Sequence, residues 1–354
     1  MAGVYVSYPF CAQKCTYCNF ASGVFPRELE ATYLGALRGE LRATAWPWTP
    51  ETVYLGGGTP SQMDPRALAE MLAEIPGRSW SEATLEAAPG TVTAEKAAAW
   101  ACAGINRVSL GVQSFMTTEL ARTGRKHTAE IVEREVALLR EAAIESINID
   151  LIAGLPGQTR GNWSKSLDWV EKLGVPHVSV YMLEVDEDSR LGREILGSGV
   201  RYGAADVPAD DDIADFYEIA VERLARMGIE RYEISNFARP RFESRHNLKY
   251  WRREPYLGFG ADAHSFDGAV RWQNPESAAE YVAGFPAPER VLADPKAEAF
   301  FLGLRLREGV PSGEFPEVID RFEREGLLER SDGRVRLTPR GVLLSNEVFA
   351  EFVA

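Results

Sequence analysis

The sequence is poor in the features that send a chain to a membrane, out of the cell or onto nucleic acid. None of its apolar runs approaches the ~20 residues needed to cross a bilayer. Met1-Ala2-Gly3 leads directly into a strand-like VYVSY, with no basic patch and no cleavable apolar segment, so a cytoplasmic chain is expected. Basic residues are outnumbered. With 39 Lys and Arg against 52 Asp and Glu, the formal net charge is −13, which argues against general affinity for nucleic acid or anionic lipid. Cysteine and histidine are also scarce, at four each, so any clustering of either carries information.

Three of the four cysteines lie within eight residues. Spacing that tight cannot staple a fold of 354 residues, so a disulfide framework is not expected. In a reducing compartment such thiols bind metal or do redox chemistry. Cys102, alone in AWACAGIN on an apolar helical pattern, reads as a small buried hydrophobe.

Along the chain, β-branched apolar runs alternate with helical patterns. The runs are 4–8, 52–57, 83–88, 107–113, 147–152 and 177–183; helices are expected around 28–44, 65–75, 94–103, 129–143 and 161–173. That alternation implies parallel strands with right-handed crossovers. Six units are too few for a closed eight-stranded barrel and suit a partial (β/α)6 barrel, an α/β fold expected over residues 1–230. From 186 to 290 the pattern loosens, with a helix over 212–227, a candidate strand over 232–238 and a Pro-containing linker at 284–295. Residues 231–290 are expected to cover the barrel. Residues 291–354 read as helix (296–306), helix (313–326), hairpin (330–338) and helix (340–352), the order of a small winged-helix-like domain.

Unusual residues gather just after the strands: the cysteines, Gly56-Gly57-Gly58-Thr59-Pro60, Pro89-Gly90, Gln113, and Asp150 with Gly154-Leu155-Pro156-Gly157. Active sites of barrel folds lie where the strand C-termini and their loops converge. Cys11-x₃-Cys15-x₂-Cys18 suits a [4Fe–4S] cluster, in which three thiolates leave one iron for a small chelating molecule. A structural zinc site wants four protein ligands, and no histidine lies near this loop in sequence. The glycine triplet frees backbone N–H and C=O groups for a ligand, and no Lys-Ser/Thr follows it, which disfavours a phosphate loop.

CAQKCTYC after a strand resembles the radical S-adenosylmethionine superfamily. The further segments LGGGTPS, NRVSLGVQSF, GRKH, INIDLIAGLPGQT, YEISNFA, HNLKYW and GFGADAHS resemble the oxygen-independent coproporphyrinogen oxidase family over almost the whole chain. The resemblance implies that Cys11, Cys15 and Cys18 hold the cluster. It also implies that Gly57, Gly58 and Thr59 contact the methionine end of S-adenosylmethionine, with Tyr5 and Tyr17 at further contact positions. A zwitterion needs a carboxylate for its ammonium and a guanidinium for its carboxylate, roles that fall to Glu86 and Arg125. Gln113 and Asp150 would hold the ribose hydroxyls. The match departs at Glu86-Ala87-Ala88-Pro89, where the family commonly has E-x-N-P, and at Ser7-Tyr8, which replaces His-Ile.

One position divides that family. Its decarboxylating oxidases carry a fourth cysteine two places after the third, and an extension before the first strand. Here the position holds Phe20 and the first strand starts at residue 4. The hexapeptide His246-Asn247-Leu248-Lys249-Tyr250-Trp251 resembles instead the H-N-x-x-Y-W signature of the heme chaperone branch. By that resemblance His246, Asn247, Tyr250 and Trp251 bind heme, and Arg245, Lys249, Arg252 and Arg253 could meet its propionates. The residues alone favour a helix that packs Tyr250 and Trp251 into the barrel with His246 hydrogen-bonded; the family pattern tips the reading to ligand binding. The expectation is a carrier that binds heme and transfers it to a heme-accepting protein, which could be membrane-associated. The alternative is an enzyme, an oxygen-independent coproporphyrinogen III dehydrogenase. A radical enzyme acting on nucleic acid is disfavoured by the acidic balance.

Overall fold

The computed structural model describes residues 2–284 and 287–352. Of the expected linker, Pro286 lies outside the described residues. Six parallel strands, β1 (Gly3–Tyr8), β2 (Thr52–Gly57), β3 (Glu82–Ala87), β4 (Arg107–Gln113), β5 (Ser146–Ala153) and β6 (His177–Met182), lie side by side in sequence order. The helices α1 (Arg27–Ala43), α2 (Pro65–Leu72), α3 (Ala94–Ala103), α4 (Thr117–Thr123), α5 (Ala129–Glu141) and α6 (Arg160–Leu173) form the crossovers. This is the expected partial (β/α)6 barrel. Two further helices, α7 (Arg190–Leu196) and α8 (Asp210–Arg226), follow β6. The short α4 and α7 carry too little periodicity to be read from sequence.

Each strand alternates its side chains between two environments. Val53, Leu55, Ala83, Leu85, Val108 and Leu110 pack outward beneath the helices, against Leu68, Trp100 and Leu139 among others. The other parity carries Tyr5, Tyr54, Glu86, Ser109 and Asp150, which meet one another across the strands. The greasy layer holds the fold. The polar layer lines its interior.

The segment after β6 does more than cover the barrel. The strand expected over 232–238 is only Asn236–Ala238 (β8); with Glu230–Arg231 (β7) it extends the sheet beyond β6 in antiparallel fashion. Helix α9 (Arg245–Trp251) crosses to the opposite side. Then β9 (Tyr256–Phe259) pairs parallel with β1, and β10 (His264–Phe266), β11 (Val270–Gln273) and β12 (Val291–Leu292) continue outward, giving twelve strands in one sheet. These short strands lack the clean alternation by which a strand is recognised. A small C-terminal unit follows, in which the hairpin Leu328–Ser331 and Arg334–Leu337 pairs with Val310–Pro311 amid four short helices. Among the described residues, no helix is long and apolar enough to cross a membrane. Cys102 is exposed on α3, not buried; the inward face of that helix is taken by Ala97, Trp100 and Ala103.

Candidate functional site

The cysteine loop leaves β1 at the C-terminal mouth of the barrel and is fixed there by backbone pairing. Cys11 N–H donates to Gly23 O at 2.8 Å and Gly23 N–H to Pro9 O at 2.9 Å, closing the loop on itself. The glycine triplet runs beside it, with Gly58 N–H on Tyr8 O at 2.7 Å and Thr59 N–H on Phe10 O at 2.9 Å. A Cβ at Gly58 would stand 2.7 Å from Phe10 O, so only glycine lets these two segments meet. Cys11, Cys15 and Cys18 are all partly exposed and unpaired. Burial raises the Cys11 thiol, hydrogen bonds with Thr59 and Ser22 oppose the rise, and nearby Cys18 and Cys15 add to it.

Among the described residues, no group of three or more His, Cys, Asp or Glu side chains gathers around one point as a single metal ion requires. A four-iron cluster asks for something different, because each thiolate binds its own iron and the thiols stand apart. Three free thiols on one tightly held loop fit that donor set.

Glu86 and Gln113 stand at the ends of β3 and β4, while Asp150 sits within β5, three residues before its end, not at the strand end expected from the sequence. Glu86 accepts a hydrogen bond from Tyr54 Oη at 2.8 Å. Burial pushes its carboxyl up to about 7, although the Tyr54 hydroxyl favours the charged form. Gln113 closes β4 at a register shift and adopts φ 68°, a left-handed conformation that costs on the order of 1–3 kcal/mol outside glycine. Arg125 lies across the same strand, donating to Gly111 O and to Tyr17 Oη at 3.2 Å. A Cβ at Gly111 would touch Gln113 Nε2 at 3.1 Å and Arg125 Nη2 at 3.6 Å, so the site is closely packed here. Asp150 accepts from Ser109 Oγ at 3.0 Å and Asn148 Nδ2 at 2.7 Å, and its carboxyl is raised by burial. Tyr5 stacks on Tyr54 with centroids 6.1 Å apart.

The expected heme residues are elsewhere. Helix α9 lies at the opposite end, where the strands begin. Its Ser244 N-cap hydroxyl and the Arg245 and His246 N–H groups donate to Glu82 at 3.2, 2.8 and 3.0 Å. His246 is 1% exposed; Nδ1 pairs with Thr52 Oγ1 at 2.9 Å and Nε2 with Tyr250 Oη at 2.8 Å. Burial, reinforced by the Lys249 ammonium, pushes the ring down to about 3, so it is neutral. Neither nitrogen is free in this conformation, the arrangement of the alternative in which α9 packs into the barrel with His246 hydrogen-bonded. Tyr250 packs edge-on against Tyr256 with centroids 4.7 Å apart, and the Trp251 ring lies under Arg305. Asn247 is partly exposed. Of the basic residues expected at the propionates, Lys249 pairs with Glu51 and Glu254, Arg252 with Glu308 and Arg253 with Glu298.

Sequence reasoning missed Tyr54, which holds Glu86, and Thr52 and Glu82, which hold α9. The signal was the strand parity. Tyr54 precedes Gly56 by two residues, and Glu82 precedes Glu86 by four, so each shares a face with a residue already singled out.

Residues 5–170 match the radical SAM superfamily, and residues 293–344 match the HemN C-terminal domain. The chain is 35% identical over 381 residues to the heme chaperone HemW of Bacillus subtilis, covering 100% of this chain and 99% of that one. It is 31% identical to the heme chaperone HemW of Escherichia coli over 99% and 98% of the two chains. The solved coproporphyrinogen III oxidase (HemN) of Escherichia coli, a radical SAM enzyme, shares the fold with a TM-score of 0.84 at 21% identity, over 99% of this chain and 89% of that one. With its cysteine loop at a partial barrel's mouth, an α9 plug at the other end and full-length kinship of this order, the chain belongs to the HemW family of radical SAM proteins.

Proposed function

We propose that this chain binds heme and passes it to an acceptor protein, while the barrel mouth holds a [4Fe–4S] cluster and S-adenosylmethionine. The full-length kinship to heme chaperones carries the reading. At the mouth, Cys11, Cys15 and Cys18 bind three irons. Gly57, Gly58 and Thr59 offer backbone groups to the methionine end; Glu86 takes its ammonium and Arg125 its carboxylate. Arg125 is already oriented for this by Gly111 O and Tyr17 Oη. Gln113 and Asp150 hold the ribose, and Tyr5 and Tyr17 wall the site. When bound, cluster and cofactor together supply reductive cleavage of a sulfonium bond, and the protein contributes position and exclusion of water.

Heme binds, on this reading, at the α9 end, where His246, Asn247, Tyr250 and Trp251 lie. For His246 to ligate iron, one ring nitrogen must leave its partner, Thr52 or Tyr250, which costs one hydrogen bond, about 1 kcal/mol, while the other can stay paired. That requirement makes the reading testable with variants of opposite sign. Hemin titrations of the anaerobically reconstituted protein should show His246→Ala weakening binding and shifting the absorption spectrum. Thr52→Val, which frees one nitrogen, should tighten it. Heme transfer to an apo-acceptor should follow the same order. Cofactor-dependent release of CO₂ from coproporphyrinogen III, with hemin binding indifferent to both variants, would restore the dehydrogenase.

A further inference from the structure

Arg107 opens β4 at the closed end of the barrel, facing inward with Ser109, and is 2% exposed. Among the described residues its guanidinium makes no hydrogen bond and no ion pair, and its Nε is fully shielded from solvent without a partner. Thr84, its register partner on β3, has an equally buried and unpartnered hydroxyl. The Glu86 and Asp150 carboxyls feel its charge from within the barrel, yet neither contacts it, and a buried guanidinium with no direct partner is costly. It calls for an anion.

The place for one is adjacent. A cavity of about 140 Å³ opens beside Arg107 between the starts of β3, β4 and β5 and the segment leading into α9. Arg241 and Arg245 stand on its rim, both exposed and neither paired with a carboxylate among the described residues. Two carboxylates also line it. Glu82 is committed to three donors at the start of α9, and Glu243 completes the wall. Three unpaired guanidinium groups therefore face two carboxylates, one of which is already occupied. Guanidinium groups suit the planar, multidentate oxygens of carboxylates and phosphates.

We propose that this cavity is a binding site for a small oxyanionic group, a carboxylate or phosphate, with Arg107 as its buried anchor and Arg241 and Arg245 as its gate. The volume accommodates the anionic head alone, so the group arrives either as a free ion or as the carboxylate arm of a larger molecule held outside. The second source rests on heme binding at the α9 end, since Arg245 begins that helix; the first does not.

The experiment titrates inorganic phosphate into the full-length, cluster-loaded protein at constant ionic strength, reading the thermal midpoint. The wild type should be stabilised progressively. Arg107→Met should be indifferent to phosphate, and in phosphate-free buffer its midpoint should equal or exceed that of the wild type, because a buried charge with no direct partner has been removed. Arg241→Gln, at the exposed rim, should fold normally and bind phosphate about tenfold more weakly. Hemin and hemin dimethyl ester, whose carboxylates are blocked, distinguish the sources. Competition of phosphate with hemin but not with the ester assigns the site to a propionate; hemin binding indifferent to phosphate assigns it to a free ion. The proposal is overturned if the wild-type midpoint ignores phosphate while hemin affinity is unchanged in Arg107→Met. It is equally overturned if Arg107→Met is destabilised by the same amount with and without phosphate. Failure of all hemin binding, with the phosphate response intact, removes the heme reading and leaves the anion site standing.

Discussion

The two ends of the barrel are built from the same six strands and hold opposite kinds of chemistry. At the C-terminal mouth, polar groups are positioned yet left with capacity: three partly exposed thiols, a Glu86 carboxyl held near neutrality, and a Gln113 kept in a left-handed conformation. At the N-terminal end, α9 closes the barrel and its polar groups are spent on one another, with His246 bound at both nitrogens and Glu82 saturated by donors. Unspent donors and backbone strain mark a site for a ligand, whereas a satisfied network marks a seam between elements. Arg107 is the exception at the closed end, and for that reason the informative one.

The largest difference between the ends should appear on removing a thiol. Any one of Cys11→Ala, Cys15→Ala or Cys18→Ala should abolish the intact cluster, read as iron and sulfide content after anaerobic reconstitution, while Cys102→Ala leaves about four irons. Thermal midpoints of the cluster-free proteins should differ little, because the loop is held by backbone pairing with Gly23 and the glycine triplet. A motif variant that keeps its cluster would break the assignment.

Next in size is the seam. Glu82→Ala strips the acceptor from Ser244 Oγ and from the N–H groups of Arg245 and His246, and should cost about 3 kcal/mol of stability in denaturant unfolding. Cluster content should not change. Loss of the cluster with preserved stability would mean that the two ends are not separable. Thr52→Val should cost less, about 1 kcal/mol, since it removes one hydrogen bond to His246 and keeps the side-chain volume. Equal losses in both variants would deny Glu82 its role as the anchor of α9.

Much of the mouth was legible from sequence because its chemistry follows chain order. Each βα loop carries its unusual residues at a strand's end, and a parallel barrel brings successive strand ends together. Cys11, Glu86 and Gln113 could be placed at strand ends that way, whereas Asp150 lies within β5. The closed end resisted the same treatment. His246 meets Thr52 across 194 residues, and nothing in HNLKYW says whether its imidazole points toward solvent or into the barrel. The strands 256–292 escaped for a related reason. They are short, and their place in the sheet follows from the long-range pairing of β9 with β1, not from any local period.

The ends also respond to pH in opposite senses, and the smallest expected effect lies in cofactor affinity at the mouth. His246 has a depressed folded-state value of about 3, so it contributes stability present above the unfolded value near 6.5 and lost as pH falls toward 3. Glu86 runs the other way. Its carboxyl is raised to about 7 by burial, so the fold retains the proton and loses stability as pH rises from about 4.3 toward 7. A cationic ligand beside Glu86 relieves that penalty by favouring the ionised form. S-Adenosylmethionine should therefore bind more tightly as pH rises through 7, by about fourfold between pH 6.5 and 8, the change in ionised fraction of a group titrating near 7. Isothermal titration across that range, with Glu86→Gln beside the wild type, reads it directly. The variant should bind more weakly throughout and show a flat profile. A wild-type profile that is already flat, or a slope that survives in Glu86→Gln, would mean that the ammonium is held by another group and that the raised carboxyl belongs to the barrel's interior network with Tyr54.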